Sequence, residues 1–392
     1  MSKIKFLLFC VFIGSFGHAQ SYVPFYGQVA EQVNEETILT NLTAFENFGV
    51  KYRGTAAQAN TLSWLRAQYI SYGYSESQLT EDVFTYGGST CKNLVVTKMG
   101  TTYPNIFVII DGHYDTVNGP GTNDNGSGTT IILEAARLLR NIPTEYSIKF
   151  IHFSGEEDGL IGSQHYVDNV VNSTSPKMNI RLLLNLDQVG GIAGMANNTV
   201  TCERDTGMPF SNNAASTSMT NQLANCIELY SPLETVIASA YASDYMPFEN
   251  NGEVISGLYE TNESPFPHTP NDLLVNMDPE YVYNIAKGTT GAMLHFAVAC
   301  TNCNLGTADA TNKDFILYPN PAHNLITLHK GTTSAESTSL KFTNVFGQEV
   351  YSISLNATLQ IENIDVSHLV RGAYFVEITT GQDRHVQKLL IE

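Results

Sequence analysis

Residues 146–163 read YSIKFIHFSGEEDGLIGS, an apolar run that ends in two adjacent glutamates before a glycine-rich turn. Tyr146–Phe153 predicts a buried strand, and residues 159–169 predict a helix after it. Solvated loop acids are the simpler explanation of the acidic run, but the end of a buried strand is where open α/β sheets place their sites. Adjacent side chains point apart, so the segment predicts one metal ligand, Glu157, and one general base, Glu156.

Strand and helix patterns alternate on both sides of this segment. Helices are predicted at residues 55–72, 126–140 and 279–299, and strands at residues 93–98, 105–111, 180–187 and 253–259. Residues 190–250 are polar and rich in turn residues, and we expect them to form a rim over a site. The alternation predicts an α/β fold, with a mixed, mainly parallel twisted sheet and helices on both faces.

Composition changes beyond residue 300. Residues 301–314 are rich in Asn, Thr, Ala and Gly, which predicts a linker after a first domain at residues 20–300. Residues 315–392 alternate apolar and polar side chains in short runs separated by turn signals. This pattern predicts a small all-β sandwich as a second domain.

The N-terminus has the pattern of a secretory signal peptide. Lys3 and Lys5 precede the apolar run Phe6–Phe16, and Gly17-His18-Ala19 supplies the small-x-small ending. We expect residues 1–19 to be removed after Ala19, and no later apolar run is long enough for a membrane span. The prediction is a protein that leaves the cytoplasm.

The net charge excludes two classes of binding partner, and the number of cysteines bears on disulfide formation. The formal net charge of −18 gives a surface that repels nucleic acid and anionic membranes, so neither is a predicted partner. Five cysteines remain after processing, and in an exported protein they could pair. Cys300 and Cys303 are close in sequence, Cys202 and Cys226 share one region, and at least one thiol must stay free.

Two loops after residue 110 carry ligand-type side chains. His113 ends an apolar run, and the carboxylate of Asp115, two residues later, can accept the other imidazole N–H and fix the tautomer. Asp124 lies in a Gly/Asn loop that opens a helix, where glycines let the backbone approach a ligand closely. A helix N-cap at Asp124 or Asn125 is the alternative reading of that loop.

Asp187 and His268 complete the set of candidate ligands. Asp187 ends the apolar strand 180–187, and His268 lies in a proline-stiffened loop. Singly, a strand-ending aspartate and a loop histidine are usually structural or surface features. In one order with the earlier segments, they supply enough imidazoles and carboxylates for two zinc ions and one free base.

These segments closely resemble metallopeptidase family twenty-eight, the secreted bacterial leucyl-type aminopeptidases and aminopeptidase Y. The resemblance covers about residues 90–272 and is carried by GHYDT, NDNGSG, GEExGLxGS and HTPxD. It implies two Zn²⁺ ions bridged by Asp124, one held by His113 and Asp187 and the other by Glu157 and His268. It also implies that Asp115 supports His113 and that Glu156 is the catalytic base.

The chain departs from the family pattern at one place. Family members usually carry Ser-Asp-His before the last ligand loop, and here the sequence is Ser243-Asp244-Tyr245. The supporting role of that histidine is therefore lost or taken by Tyr245, with Asp244 as a support behind the ligands. Some relatives use a nearby tyrosine to stabilise an oxyanion, which makes Tyr241 a candidate.

The C-terminal residues resemble the sorting domain of the type IX secretion system. The resemblance is carried by LYPNPA at 317–322, VFGQEV at 345–350, LxxGAYFV at 369–376 and a KLLI ending. It implies that residues 315–392 engage the secretion machinery, and that the protein works outside the cell or at its surface.

The combined hypothesis is a secreted di-zinc aminopeptidase acting on peptides with a free N-terminus, with a metal-bridged hydroxide as nucleophile and Glu156 as base. A di-zinc carboxypeptidase or deacylase would insert a dimerisation domain between the last two ligands, but Asp187 and His268 are 81 positions apart. A glutaminyl cyclase would use one zinc ion and lacks the His-x-Asp start. A non-catalytic surface protein of the same fold is the remaining alternative, and the intact ligand set argues against it.

Overall fold

The chain divides into two units, Met1–Cys303 and Asn304–Glu392. The computed structural model describes residues 20–301, 315–318, 322–330, 338–344, 347–355, 361–380 and 383–391. The predicted signal peptide and all but the first residue of the predicted linker lie outside these ranges. Among the described residues, no helix is both long enough and apolar enough to cross a bilayer.

The first unit contains eight α-helices, two short 3-10 helices and eight strands in its described part. The helices are α1 (Pro24–Ala30), α2 (Glu35–Asn47), α3 (Ala56–Ser71), α4 (Gly126–Leu139), α5 (Ile161–Tyr166, continued by a π-helical turn), α6 (Asn213–Tyr230), α7 (Tyr245–Asn250) and α8 (Pro279–Phe296). The strands are β1 (Leu79–Tyr86), β2 (Ser89–Lys98), β3 (Tyr103–His113), β4 (Tyr146–Phe153), β5 (Asn179–Leu186), β6 (Thr199–Arg204), β7 (Glu234–Ser239) and β8 (Ile255–Glu260).

The strands form one mixed sheet in the order β1-β2-β4-β3-β5-β8-β6-β7. The central strands β4, β3, β5 and β8 are parallel to one another, whereas β2 and β6 run antiparallel to their inner neighbours. The predicted α/β class and mixed sheet are confirmed. Because the central strands are parallel, their carboxyl ends meet at one edge of the sheet.

Apolar side chains on both faces of the central strands explain why this sheet is buried. Ile110 belongs to the larger core, which includes residues of α4 and α8, whereas its neighbour Ile109 belongs to a second core with Tyr166 and Phe248. Successive strand residues point to opposite faces, so a continuous apolar run serves both cores. Burial of each such side chain contributes about 1.5–3 kcal/mol to stability.

The expectation that residues 190–250 consist mainly of turns is wrong, whereas a rim over the site formed by this region stays a prediction. This region contains β6, α6, β7 and α7, and three of these elements extend or cover the main sheet. Helix α6 buries Ser216 and Thr220 at helical spacing with Leu223 and Ile227. The hydroxyl groups of Thr220 and Ser256 lie 2.9 Å apart. Since small polar residues occupy part of its buried face, its apolar pattern is interrupted in the sequence.

The positions of the cysteines in the fold decide which of them can form a disulfide bond. Cys202 lies on β6 and Cys226 on α6, and both are buried and free, so the suggested pairing of these two residues is wrong. Cys91 is also buried and free. Cys300 is disulfide-bonded, and Cys303 lies outside the described residues.

The second unit is all-β in its described part, as predicted. Its strands are β9 (Phe315–Tyr318), β10 (Leu325–Lys330), β11 (Thr338–Asn344), β12 (Glu349–Leu355), β13 (Ile361–Asp365), β14 (Gly372–Thr380) and β15 (Asp383–Ile391). They form two antiparallel sheets, β13-β10-β9 and β12-β11-β14-β15. Alternate residues such as Leu340, Phe342 and Val376 form the core of this unit, which is the physical basis of the period-two pattern.

Candidate metal centre

The carboxyl edge of the central strands brings the predicted ligands together. His113 is the last residue of β3, Glu157 lies four residues beyond β4, and Asp187 directly follows β5. Asp124 lies two residues before α4, and His268 lies in the loop after β8. The backbone of His113 is held by Thr129 of α4, whose hydroxyl donates to the His113 carbonyl oxygen at 3.0 Å.

The five side chains form two groups that share Asp124. In the first, His113 Nε2 lies 3.2 Å from Asp124 Oδ1 and 3.3 Å from Asp187 Oδ1. In the second, His268 Nε2 lies 3.2 Å from Asp124 Oδ2 and 2.8 Å from Glu157 Oε2. Within each group, one candidate ligand atom per residue lies within 4.8 Å of the others.

The chemistry of these side chains fits a pair of zinc ions. Each group offers one imidazole nitrogen and carboxylate oxygens, the donors that zinc takes in catalytic sites. Glu157 Oε1 is buried and has no hydrogen-bond partner. Within the described ranges, no lysine or arginine forms an ion pair with Asp124, Glu157 or Asp187.

The pKa values show how strongly the site attracts positive charge. Burial would raise the pKa of Asp124, but hydrogen bonds from His113 and His268 outweigh it and lower the pKa to about 2. The hydrogen bond to Asp124 raises the pKa of His268 to about 9. Burial and the charge of Asp124 raise the pKa of Glu157 to about 8. Carboxylates are therefore crowded here without enough compensating cations of the protein itself.

Glu156 lies beside the first group. Its Oε2 is 3.9 Å from His113 Nε2. Burial, with the negative charge of Asp187, raises its pKa well above the ordinary value, against the opposing effect of His113. A carboxylate at this position is free to take and return a proton next to the two groups.

Asp115 acts through different atoms from those that the sequence suggests. Its backbone oxygen lies 3.1 Å from His113 Nδ1, whereas its carboxylate is 3.8 Å from the same nitrogen. The carboxylate accepts the backbone N–H groups of Glu156 and Glu157, each at 3.3 Å. Asp115 therefore orients both the imidazole and the turn that carries the two glutamates.

Within the described ranges, the Tyr245 hydroxyl forms no hydrogen bond with any of the five candidate ligands. Its hydroxyl donates to Glu203 Oε2 at 2.9 Å and accepts the backbone N–H of Tyr241 at 3.3 Å. Glu203 is a buried residue of β6 that the sequence analysis did not identify, and burial raises its pKa to about 7. Tyr241 is 63% exposed, and its pKa is raised first by partial burial and then by the negative charge of Glu203.

Ser243 orients Asp187. Its hydroxyl donates to Asp187 Oδ2 at 2.7 Å and accepts from Asn185 Nδ2 at 2.9 Å. The next residue, Asp244, is fully buried. These two residues occupy the Ser-Asp pair of the altered Ser-Asp-His pattern.

Asp272 is a further residue that the sequence analysis did not select. Its carboxylate accepts the backbone N–H groups of Asn123 at 2.8 Å and Asp124 at 3.0 Å. It thereby fixes the Asp124 loop to the loop of His268, four residues earlier in the chain. Its position as the last residue of the HTPxD segment could have identified it from the sequence.

We expect Asp272→Ala to weaken zinc binding about 10–100-fold, the usual effect of removing a group that orients a metal ligand. Without the carboxylate, the N–H groups of Asn123 and Asp124 lose their acceptor and Asp124 is no longer held in place. Chelator competition on the purified mature protein measures the affinity. Asp278→Ala is the matched control, because Asp278 also accepts two backbone N–H groups, but at the start of α8. Equal zinc affinity in the two variants would contradict this role.

Comparison with known proteins places these features in a family. Residues 93–293 match peptidase family M28, and residues 316–392 match the secretion system C-terminal sorting domain. The aminopeptidase YwaD of Bacillus subtilis is 30% identical over 230 residues, which cover 56% of this chain and 47% of the relative. The chain spans about half the length of the curated relatives that it matches first.

Solved structures share the fold at lower identity. The LapA aminopeptidase of Legionella pneumophila superposes with a TM-score of 0.62 at 20% identity, over 76% of this chain and 80% of that one. A glutaminyl cyclase of Macrostomum lignano superposes with a TM-score of 0.61 at 14% identity, over 72% of this chain and 97% of that one. Proteins named for different activities share this fold, so the activity must be argued from the site.

Proposed function

The chain belongs to peptidase family M28, and from this premise we propose that it is a secreted di-zinc aminopeptidase that removes N-terminal residues from peptides. The observation that carries the proposal is the pair of ligand groups that share Asp124, with Glu156 next to them. In this proposal Asp124 bridges two zinc ions, with His113 and Asp187 on one side and Glu157 and His268 on the other.

The reaction needs an activated water and a protonated leaving amine. Bound zinc would polarise the substrate carbonyl group and lower the pKa of water. Glu156 takes a proton from the attacking water and returns it to the departing amine. Asp115 holds the Glu156 backbone through its carboxylate, which keeps this base in place during both transfers.

The charge of the site supports an exopeptidase. Glu156 lies at the same sheet edge and is not one of the five ligands, so its carboxylate would attract a substrate's free α-ammonium group, whereas an acylated N-terminus carries no such charge. Tyr241 is exposed and lies two residues before Ser243, whose hydroxyl bonds to Asp187. We assign Tyr241 to contact with the substrate. We assign Tyr245 to holding Tyr241 in place, through the hydrogen bond between its hydroxyl and the Tyr241 backbone.

Two features favour an aminopeptidase over the other hydrolases considered. A one-zinc glutaminyl cyclase lacks the His-x-Asp start, whereas here His113 and Asp187 form a ligand group of their own with Asp124. A carboxypeptidase of the related type needs an inserted domain between Asp187 and His268. The strands in that interval, β6, β7 and β8, all belong to the main sheet.

The proposal is tested with aminoacyl p-nitroanilides and the mature protein. We expect hydrolysis of substrates with a free α-amine, no measurable hydrolysis of their Nα-acetylated forms, and loss of activity on prolonged chelation with recovery on adding zinc. An N-terminal glutaminyl peptide assayed in parallel reports cyclisation. Activity that survives chelation, or cyclisation without peptide hydrolysis, would refute the proposal.

The second unit supports the location of this activity. Residues 316–392 match a secretion-system sorting domain, so we assign residues 315–392 to engagement of the secretion machinery, and residues 301–314 to the linker. The peptidase domain at 20–300 then acts outside the cell or at its surface, after removal of residues 1–19.

A further inference from the structure

A layer of polar side chains lies directly behind the candidate metal centre. One face of β3 and β5 carries, in order toward the carboxyl edge, an apolar layer (Ile109, Leu183), a polar layer (Asp111, Asn185) and a ligand layer (His113, Asp187). Asp111 and Asn185 are register partners on the two parallel strands, so their side chains are neighbours on that face.

Asp244 joins this layer from α7. Its neighbour Ser243 accepts the amide N–H of Asn185, which brings residues 243–244 against β5. Asp244 precedes the first residue of α7, but its side chain makes no capping hydrogen bond to that helix. Burial raises the pKa of Asp111 well above its ordinary value, and among the neighbouring charges that of Asp244 adds most to this rise.

The oxygen atoms of this layer have no hydrogen-bond donors. Both carboxylate oxygens of Asp111, both of Asp244 and Oδ1 of Asn185 are buried and unpartnered. Asp111 and Asp244 are 0% exposed and Asn185 is 1% exposed. The Ser163 hydroxyl donates to the backbone oxygen of Leu160 at 3.2 Å and is near enough to Asp244 to oppose the rise that burial causes in the Asp244 pKa. No lysine or arginine in the described ranges pairs with either carboxylate.

Buried carboxylates without donors are unfavourable unless a proton or a cation compensates them. Five oxygen donors with no nitrogen or sulfur are the donor set of hard cations, and zinc prefers the imidazole-containing groups in front of the layer. We propose that Asp111, Asn185 and Asp244 bind a hard, oxygen-liganded cation, calcium or sodium, behind the ligand layer. The cation neutralises the two carboxylates and fixes residues 243–244, from which Ser243 orients Asp187.

The test measures cation content and stability of the zinc-loaded mature protein, with ionic strength held constant by choline chloride. We expect elemental analysis to give one calcium per chain beyond zinc after equilibration with CaCl₂, or a saturable stabilisation by NaCl if sodium is the ion. At a hundred-fold excess over Kd, the melting temperature should rise by roughly 5–10 °C. Asp111→Asn and Asp244→Asn should lose this rise and keep their zinc.

Asp168→Asn is the control, since it removes an equal charge from an exposed position. The proposal is overturned if neither salt stabilises the wild-type protein, in which case the layer is protonated. It is also overturned if the stabilisation persists in both variants, or if a third zinc ion replaces the hard cation. Should one variant fail to fold, the other variant and the wild-type titrations still decide. None of these readouts uses catalysis, so the outcome is separate from that of the proposed function.

Discussion

Replacing Glu156 by glutamine is expected to lower kcat by about 10²–10⁴-fold, the range in which a positioned general base contributes to a reaction. Glutamine keeps the size of the side chain but cannot take a proton from water. Zinc content should stay at the wild-type level, because Glu156 is not among the five candidate ligands. Steady-state kinetics with the best nitroanilide substrate, together with elemental analysis, measures both quantities.

Asp158→Asn is the matched control for this experiment. Asp158 is the third acid of the same run, and it forms an ion pair with Arg53 rather than facing the ligands. Its replacement should change kcat only a few-fold. Near-normal turnover in Glu156→Gln would remove Glu156 from the role of base.

Asp124→Ala is expected to disrupt both metal sites and to lower kcat/KM by about 10³-fold or more, because the lowered pKa of zinc-bound water is lost with the metal. Among the residues that the structure describes, Asp124 is the one that both ligand groups share. His268→Ala is the informative comparison, since it removes one ligand from the second group and leaves the first group intact. We therefore expect about one zinc per chain in His268→Ala and less than one in Asp124→Ala.

Elemental analysis after dialysis against buffer with micromolar zinc measures these contents. The control is Asp278→Ala, which removes the half-buried cap of α8 and none of the candidate ligands, and which should retain two zinc ions. Two zinc ions retained in Asp124→Ala would contradict the bridging role. Equal loss in His268→Ala and Asp124→Ala would show that the two groups do not bind independently.

The candidate ligands are supported from distant parts of the chain. Asp272 reaches back 149 positions to the backbone of Asn123. Glu46 of α2 accepts the hydroxyl of Thr122 at 2.9 Å and the backbone N–H of Leu274. The two loops that carry Asp124 and His268 are thus joined by a carboxylate from each side. Precise placement of ligands requires such support, because a free loop would not hold them within the tolerance of a metal site.

Much of the fold and most of the site could be predicted from the sequence. The apolar strands β3, β4 and β5 have local patterns, and the polar residue at each strand end is visible beside them. Parallel strands that end in ligand-type residues must bring those residues to one edge. For this reason the sequence alone was enough to select His113, Glu157 and Asp187 as neighbours.

Only the tertiary structure shows the hydrogen-bond partners that are far apart along the chain. Tyr245 bonds to Glu203, 42 positions away, and the Asp115 carboxylate bonds to backbone beyond β4. The unpartnered layer of Asp111 and Asp244 likewise exists only after α7 has packed on β5. The local sequence pattern indicates which face of a strand or helix a side chain occupies. Its hydrogen-bond partner depends on which other elements pack against that face. That choice is made by the packing of the whole sheet.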